Sequence, residues 1–236
     1  MTDDVTLQTP DGDMGAAVAR PAGDPKGGIV VVQEAFGVTP HIRSICDRLA
    51  SAGYIAIAPA FFHRTGSPVL DYGDFEHVMP NMAELSAEGL ANDVAAAVDW
   101  LDGEGIAHTS RGIVGFCMGG TVALWGGTAF EFGAAVTFYG GGVLEGRFGL
   151  PPLVEAAPQL RCPWLGLFGG QDKGIPVEQV DALRNAAETA PVDTEVHLYP
   201  EAGHGFNCDD RDAYHEASAT DAWGRTLAWF DSHLAP

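Results

Sequence analysis

Cys117 stands in the stretch GFCMG (115–119), between the apolar pair Ile113–Val114 and a small-residue segment that opens a helix. A Gly-x-nucleophile-x-Gly turn between strand and helix is a strained corner whose small flanking residues let the central side chain rise above the sheet. A thiol there sits at a helix N-terminus, where the partial positive charge of the backbone favours anionic sulfur. Taken alone, the pentapeptide is equally compatible with a small buried cysteine at an ordinary junction. Two later residues change the balance: Asp172 in LFGGQD and His204 in EAGHGF, each just after an apolar β-type run. A nucleophile, an acid and a histidine in that chain order, each at a strand end, can converge on one side of a sheet. The chemistry would be acyl transfer, with the sulfur attacking, the imidazole moving protons and the carboxylate orienting the ring.

The remaining reactive side chains carry less. His41, His63, His77, His108, His197, His215 and His233 show no HxH or HxxxH spacing with a nearby third ligand, so no metal site is expected. No cofactor is expected either, because FYGGGVLEG (138–146) has neither the GxGxxG order nor the lysine of a phosphate loop and reads as a solvent-exposed turn. Cys46 falls on the apolar side of a helix, while Cys162 and Cys208 read as incidental. Four cysteines without a CxxC pair, in a chain of this size, point to reduced thiols.

The elements that must hold the three residues are legible as an alternation. VTLQT and GDMGAAVA flank the turn PDGD, where Asp11-Gly12 signals an antiparallel hairpin. GIVVVQE is a β-branched run suited to a strand buried on both faces, followed by a helix capped by Thr39, begun at Pro40 and stopped by Gly53. YIAIAPA, a long segment without assigned structure to about residue 82, a helix over 84–103 and RGIVGFC come next. Then follow a helix over 118–128, AAVTFYG, a loop over 140–159, WLGLFGG, a helix over 176–190, TEVHLYP and a last helix over 214–234. Strands alternating with helices predict an α/β fold: a mostly parallel central sheet with helices on both faces and an N-terminal antiparallel edge. No linker or repeat divides it, so residues 1–236 read as one domain. Reactive groups in such sheets gather at the carboxyl ends of the strands, where Cys117 lies.

Composition bounds the partners. A net charge of −20, from 32 acidic and 12 basic residues, repels phosphate backbones and anionic lipid surfaces, so neither nucleic acid nor membrane is an expected partner. The first residues lack the basic and apolar regions of a signal peptide, and no apolar run approaches the ~18 residues of a membrane span, so a cytoplasmic location is expected. The antiparallel edge could pair two chains; monomer and homodimer are both compatible with the sequence.

With these residues in place, the chain resembles the dienelactone hydrolase family, cysteine-dependent members of the α/β-hydrolase fold. VVQEAFGV (31–38), GFCMGG (115–120), GGQD (169–172) and EAGHGF (201–206) are similar to the family's signatures, in order and over nearly the whole chain. The resemblance implies a Cys117–His204–Asp172 triad cleaving a small-molecule ester or enol lactone, with Glu34 as an extra carboxylate near the thiol. A carboxylate there would disfavour the thiolate until substrate displaced it. A buried run ending in an acid also calls for a partner or a role. Backbone N–H groups of Ala35 and Met118 would form the oxyanion hole. The family's dienelactone-cleaving members are similar in carrying an arginine four residues after the histidine and another in the variable segment, to grip a substrate carboxylate. Here the first position is Cys208, and residues 66–82 contain no arginine. A less polar or uncharged ester is therefore the expectation, with Phe36, Phe61, Tyr72, Phe75, Tyr139 and Phe206 as pocket candidates. A general carboxylesterase or thioesterase on the same triad, or a ligand-binding homologue without turnover, are the alternatives.

Overall fold

Ile29–Val32 and Ala134–Phe138 carry buried side chains on both faces, so these strands belong inside a sheet covered from both sides. The computed structural model describes residues 2–235 and gathers eight strands into one sheet: β1 (Asp3–Thr9), β2 (Gly12–Ala19), β3 (Gly28–Val32), β4 (Ile55–Pro59), β5 (Arg111–Phe116), β6 (Ala134–Phe138), β7 (Trp164–Gly169) and β8 (Thr194–Tyr199). Their spatial order is β1-β2-β4-β3-β5-β6-β7-β8. Pairing is antiparallel at β1–β2 and β2–β4 and parallel from β4 to β8, the mixed pattern the sequence predicts.

Among the described residues seven α-helices accompany the sheet: α1 (Pro40–Ser51), α2 (Phe75–Ala83), α3 (Ala87–Gly103), α4 (Met118–Ala129), α5 (Leu153–Ala156), α6 (Val177–Ala187) and α7 (Glu216–His233). The chain runs from β3 to β4 in one direction across the sheet and from β5 to β8 in the other. Right-handed crossovers therefore put α1 on the opposite face from α4 and α6. The last helix joins α1, with the Arg48 guanidinium carbon 3.9 Å from the Trp223 ring centre. The direction reverses between β3 and β5, and the carboxyl ends of those strands open the crevice where such sheets place their sites.

Thr39 caps α1 through its Oγ1, which accepts from the Ile42 N–H at 3.4 Å, and Gly53 ends the turn beyond it at φ 96°. Five local readings change. In the hairpin, Thr9 pairs with Gly12, so Pro10 and Asp11 are the turn residues and Gly12 alone takes the positive φ. The third helix begins at Ala87 because Ser86 Oγ accepts from the Gly89 N–H, and the last begins at Glu216. Helix α2 lies in the segment read as unassigned; its apolar residues Phe75, Val78, Met79 and Met82 keep helical spacing, but the run is short and carries Pro80, a residue that argues against a helix interior. Finally, α5 interrupts the loop over 140–159. Among the described residues no helix is long and apolar enough to cross a membrane.

Candidate active site

Cys117 joins β5 to α4 with φ 56° and ψ −118°, a conformation that non-glycine residues hold only under constraint from their surroundings. The constraint is backbone packing. A Cβ on Gly115 would run into the Gly119 carbonyl, and one on Gly120 would come within 2.6 Å of the Phe138 oxygen. The corner is then tied down by Cys117 N–H donating to Phe138 O at 3.1 Å, Gly120 N–H donating to Cys117 O at 3.0 Å and Thr137 Oγ1 donating to Gly120 O at 2.9 Å. The small residues of the motif allow β5, β6 and the first turn of α4 to touch through their backbones, which leaves the thiol partly exposed above them.

Asp172 follows β7 and His204 follows β8. Asp172 is buried and divides its carboxylate: Oδ1 accepts from the Gly174 N–H at 2.8 Å, and Oδ2 meets His204 Nδ1 at 2.6 Å. With Nδ1 committed, the interaction of His204 with the Cys117 side chain falls to Nε2. Burial opposes a charge on this imidazole, but hydrogen bonds to Asp172 and Cys117 and the negative charge of both push its pKa up to about 10. Three residues from three strand ends thus form one connected set. Together with Met118, Gly141, Arg147, Gly174 and Ile175, Cys117 and His204 line a cavity of about 90 Å³.

Glu34, just beyond β3, is fully buried, and its Oε1 accepts from Arg211 Nη1 at 3.2 Å. Arg211 reaches it by crossing Gly205, whose φ of 83° and missing side chain make room; a Cβ there would strike the guanidinium. The guanidinium carbon also lies 5.5 Å from the Phe36 ring centre and 5.6 Å from that of Tyr72. Glu34 Oε2 and Tyr139 Oη are both buried without a hydrogen-bond partner among the described residues. Cys208 is no bystander: its Sγ donates to Tyr72 Oη at 3.3 Å, and Tyr72 Oη pairs with Thr39 Oγ1 at 3.2 Å. The N–H groups of Ala35 and Met118 are committed to no other group among the described residues.

The aromatic candidates are placed differently from one another. Phe36, Tyr72 and the exposed Phe75 form an edge-on cluster beside Arg211, with ring centres 4.8 Å apart for Phe36–Tyr72 and 6.4 Å for Phe36–Phe75. Tyr139 packs behind the imidazole, 5.1 Å from the His204 ring, with Phe206 against it at 5.3 Å, while Phe61 is a core side chain. None of the six lines the cavity at the thiol. The glycine-rich stretch read as a solvent-exposed turn does: Gly140 and Gly141 are buried because Thr121 Oγ1 donates to the Gly141 carbonyl and α4 packs against them. Arg147, on the same loop, is the residue that sequence reasoning missed. Nothing local marks it, since its place in the cavity depends on how the loop folds back. Among the described residues no cluster of His, Cys, Asp and Glu is arranged to hold a metal ion.

A model of the dienelactone hydrolase family matches residues 14–234. The chain belongs to that family. A "Putative carboxymethylenebutenolidase" of Salmonella typhimurium is 40% identical over 92% of this chain and 82% of its own length. The "Carboxymethylenebutenolidase" of Rhodococcus opacus is 30% identical over 87% and 81%. The crystal structure of a "Putative Dienelactone Hydrolase" from Klebsiella pneumoniae superposes with a TM-score of 0.89, at 37% identity and 98% coverage of both chains. The sheet and its helices are therefore an α/β-hydrolase fold, and the chain is a carboxylic ester hydrolase of the dienelactone hydrolase family.

Proposed function

We propose that this chain cleaves an ester or enol lactone through an acyl-thiol intermediate on Cys117. The observation that carries the reading is the 2.6 Å contact between Asp172 Oδ2 and His204 Nδ1, in a set where His204 also faces the sulfur. The Cys117 thiolate attacks the carbonyl carbon, and the oxyanion is held by the N–H groups of Ala35 and Met118. Collapse expels the alkoxide, which takes the proton of the His204 imidazolium, leaving the acyl group on sulfur. Water then gives a proton to His204 and its oxygen to the carbonyl, and the thiolate leaves as the acid is released. Asp172 keeps the imidazole in the tautomer and orientation both steps use. Glu34 has Arg211 as its counter-ion, so its charge is drawn toward the guanidinium. A thiolate leaves easily, which suits esters with good leaving groups over amides. Four free cysteines fit a reducing, cytoplasmic setting.

The test is a panel of enol lactones, aryl esters and acyl thioesters with Cys117→Ala beside the native chain. Turnover is expected to disappear in the variant while its circular dichroism and melting temperature persist, and mass spectrometry of the native protein quenched during turnover should find the acyl group on Cys117. Undiminished turnover in C117A would sink the proposal. Absence of turnover for every compound would favour the ligand-binding alternative, and the ranking within the panel separates lactonase from general esterase or thioesterase.

A further inference from the structure

The chain has 12 lysines and arginines against 32 acids, and nine of those cations have a carboxylate within 4.0 Å among the described residues. Arg48 of α1 is one of the three that do not; its guanidinium lies against the face of Trp223 on α7. Beside it opens a hollow of about 220 Å³, between α1, the start of α7 and the loop that follows β8. This hollow shares no lining residue with the catalytic cavity.

Asn207 lines the hollow and is only 2% exposed, yet neither its Oδ1 nor its Nδ2 has a hydrogen-bond partner among the described residues. A buried amide is unfavourable unless its ends are bonded, and this one offers an acceptor and two donors to the space it lines. Two opposite charges share that lining, Arg48 and Asp209. The carboxylate of Asp209 acts on Arg48 through its field without coming within 4.0 Å, and its Oδ1 instead meets the buried His41 Nδ1 at 3.3 Å. Ser44, Tyr214 and Thr220, all exposed and all ending in hydroxyls, complete the polar lining on its open side.

Size and charge select the occupant. At ~30 Å³ per water molecule the hollow has room for about seven, below the ~300 Å³ at which sites for drug-sized molecules begin, so a peptide or a nucleotide does not fit. An anion alone would satisfy Arg48 and face Asp209, and a cation alone would reverse the conflict. A molecule with both charges close together satisfies both walls, and it engages both ends of the amide: its carboxylate accepts from Nδ2 and its ammonium donates to Oδ1. We infer that this hollow is a binding site for a small α-amino acid, held as its zwitterion with the carboxylate toward Arg48, the ammonium toward Asp209 and Asn207 bonding both. The site stands apart from the ester chemistry at Cys117. Asn207 and Asp209 lie between His204 and Arg211 in the chain, so a bound amino acid ties that loop to α1.

Isothermal titration calorimetry on the native chain compares L-alanine with isobutyrate, which lacks the ammonium, and isopropylamine, which lacks the carboxylate. L-Alanine should saturate one site per chain and bind at least about tenfold tighter than either, the scale of one charge-assisted hydrogen bond. Arg48→Gln and Asp209→Asn should each weaken it by about the same factor, and Asn207→Leu should abolish it. Asp209 is exposed, so D209N tests the site in a folded chain even where loss of the Asn207 amide disturbs the loop. Arg161→Gln changes the net charge at an exposed site and should leave the affinity alone, as should Cys117→Ala. A Kd above about 10 mM for L-alanine, glycine and L-serine alike would mean that Asn207 meets only solvent, and would overturn the site. Equal affinity in R48Q, D209N and the native chain would do the same, and loss of binding in C117A would move the amino acid to the thiol. Isobutyrate bound as tightly as L-alanine would make this a site for simple anions and refute the zwitterion.

Discussion

His204 is the titrating residue on which the proposed mechanism turns. Its pKa is pushed up to about 10 from an ordinary value of 6.5, against the effect of burial, by its contacts with Asp172 and Cys117. A raised pKa means that the folded state holds the proton more tightly than the unfolded chain. The stabilisation is complete below pH 6.5 and is lost as pH rises through about 10. In the proposed mechanism the same proton is the one handed to the departing alkoxide. The kcat/KM of the native chain for an activated ester should therefore hold across neutral pH and fall along an alkaline limb near pH 10. Replacing Asp172 with Asn removes the acceptor at Nδ1, so the limb should move to lower pH and kcat should drop by about 10³ or more. A D172N variant with an unmoved limb would show that Asp172 is not what raises His204.

At the scale of elements, the site depends on backbones that touch and on one that turns back. Arg211 reaches Glu34 only by crossing Gly205 at φ 83°. Gly205→Ala should cost about 1 kcal/mol or more from the positive φ alone, with the displaced guanidinium leaving a buried carboxylate unpaired besides. Chemical denaturation should register the loss, and a native-like midpoint would mean that Arg211 reaches Glu34 by another route. This contact also marks where the sequence stops being readable. Cys117, Asp172 and His204 could be found because each follows a β-type run, and the chain order of strand ends already says which groups can meet. Helix α1 was equally visible, from Thr39 and Pro40 to Gly53. Helix α2 was harder to read because Pro80 stands inside its short apolar period of Phe75, Val78, Met79 and Met82. Arg147 and Arg211 are arginines in loops, and only long-range return contacts distinguish them from surface charge. The buried glycines at 140 and 141 look like turn residues until α4 is known to pack on them.

The whole molecule is a strongly acidic body in which nearly every cation is committed to an ion pair. Asp93 shows how far this goes: fully buried on α3, it accepts from Arg64 Nη1 at 2.8 Å and meets His63 Nε2 at 3.0 Å, while Arg64 also holds Asp11 of the β1–β2 turn. These pairs consume the positive charge and leave a net charge of −20 on the surface. Two opposing effects then follow from added salt. Exposed pairs such as Arg20–Glu104 weaken, each by a few tenths of a kcal/mol, while repulsion among the uncompensated acids is screened as the Debye length shrinks from ~30 Å at 0.01 M to ~3 Å at 1 M. The uncompensated acids outnumber the pairs, and several pairs have a partly buried partner that salt reaches poorly. Repulsion should therefore dominate, and sodium chloride raised from 0.01 to 0.5 M should increase the melting temperature by roughly 5 °C, the equivalent of about 2 kcal/mol for a chain of this size. Chloride is the appropriate salt, because sulfate would stabilise the fold through exclusion from its surface whatever the charge. A melting temperature that falls with sodium chloride would mean that the surface pairs, rather than the excess of acids, govern the electrostatics of this fold.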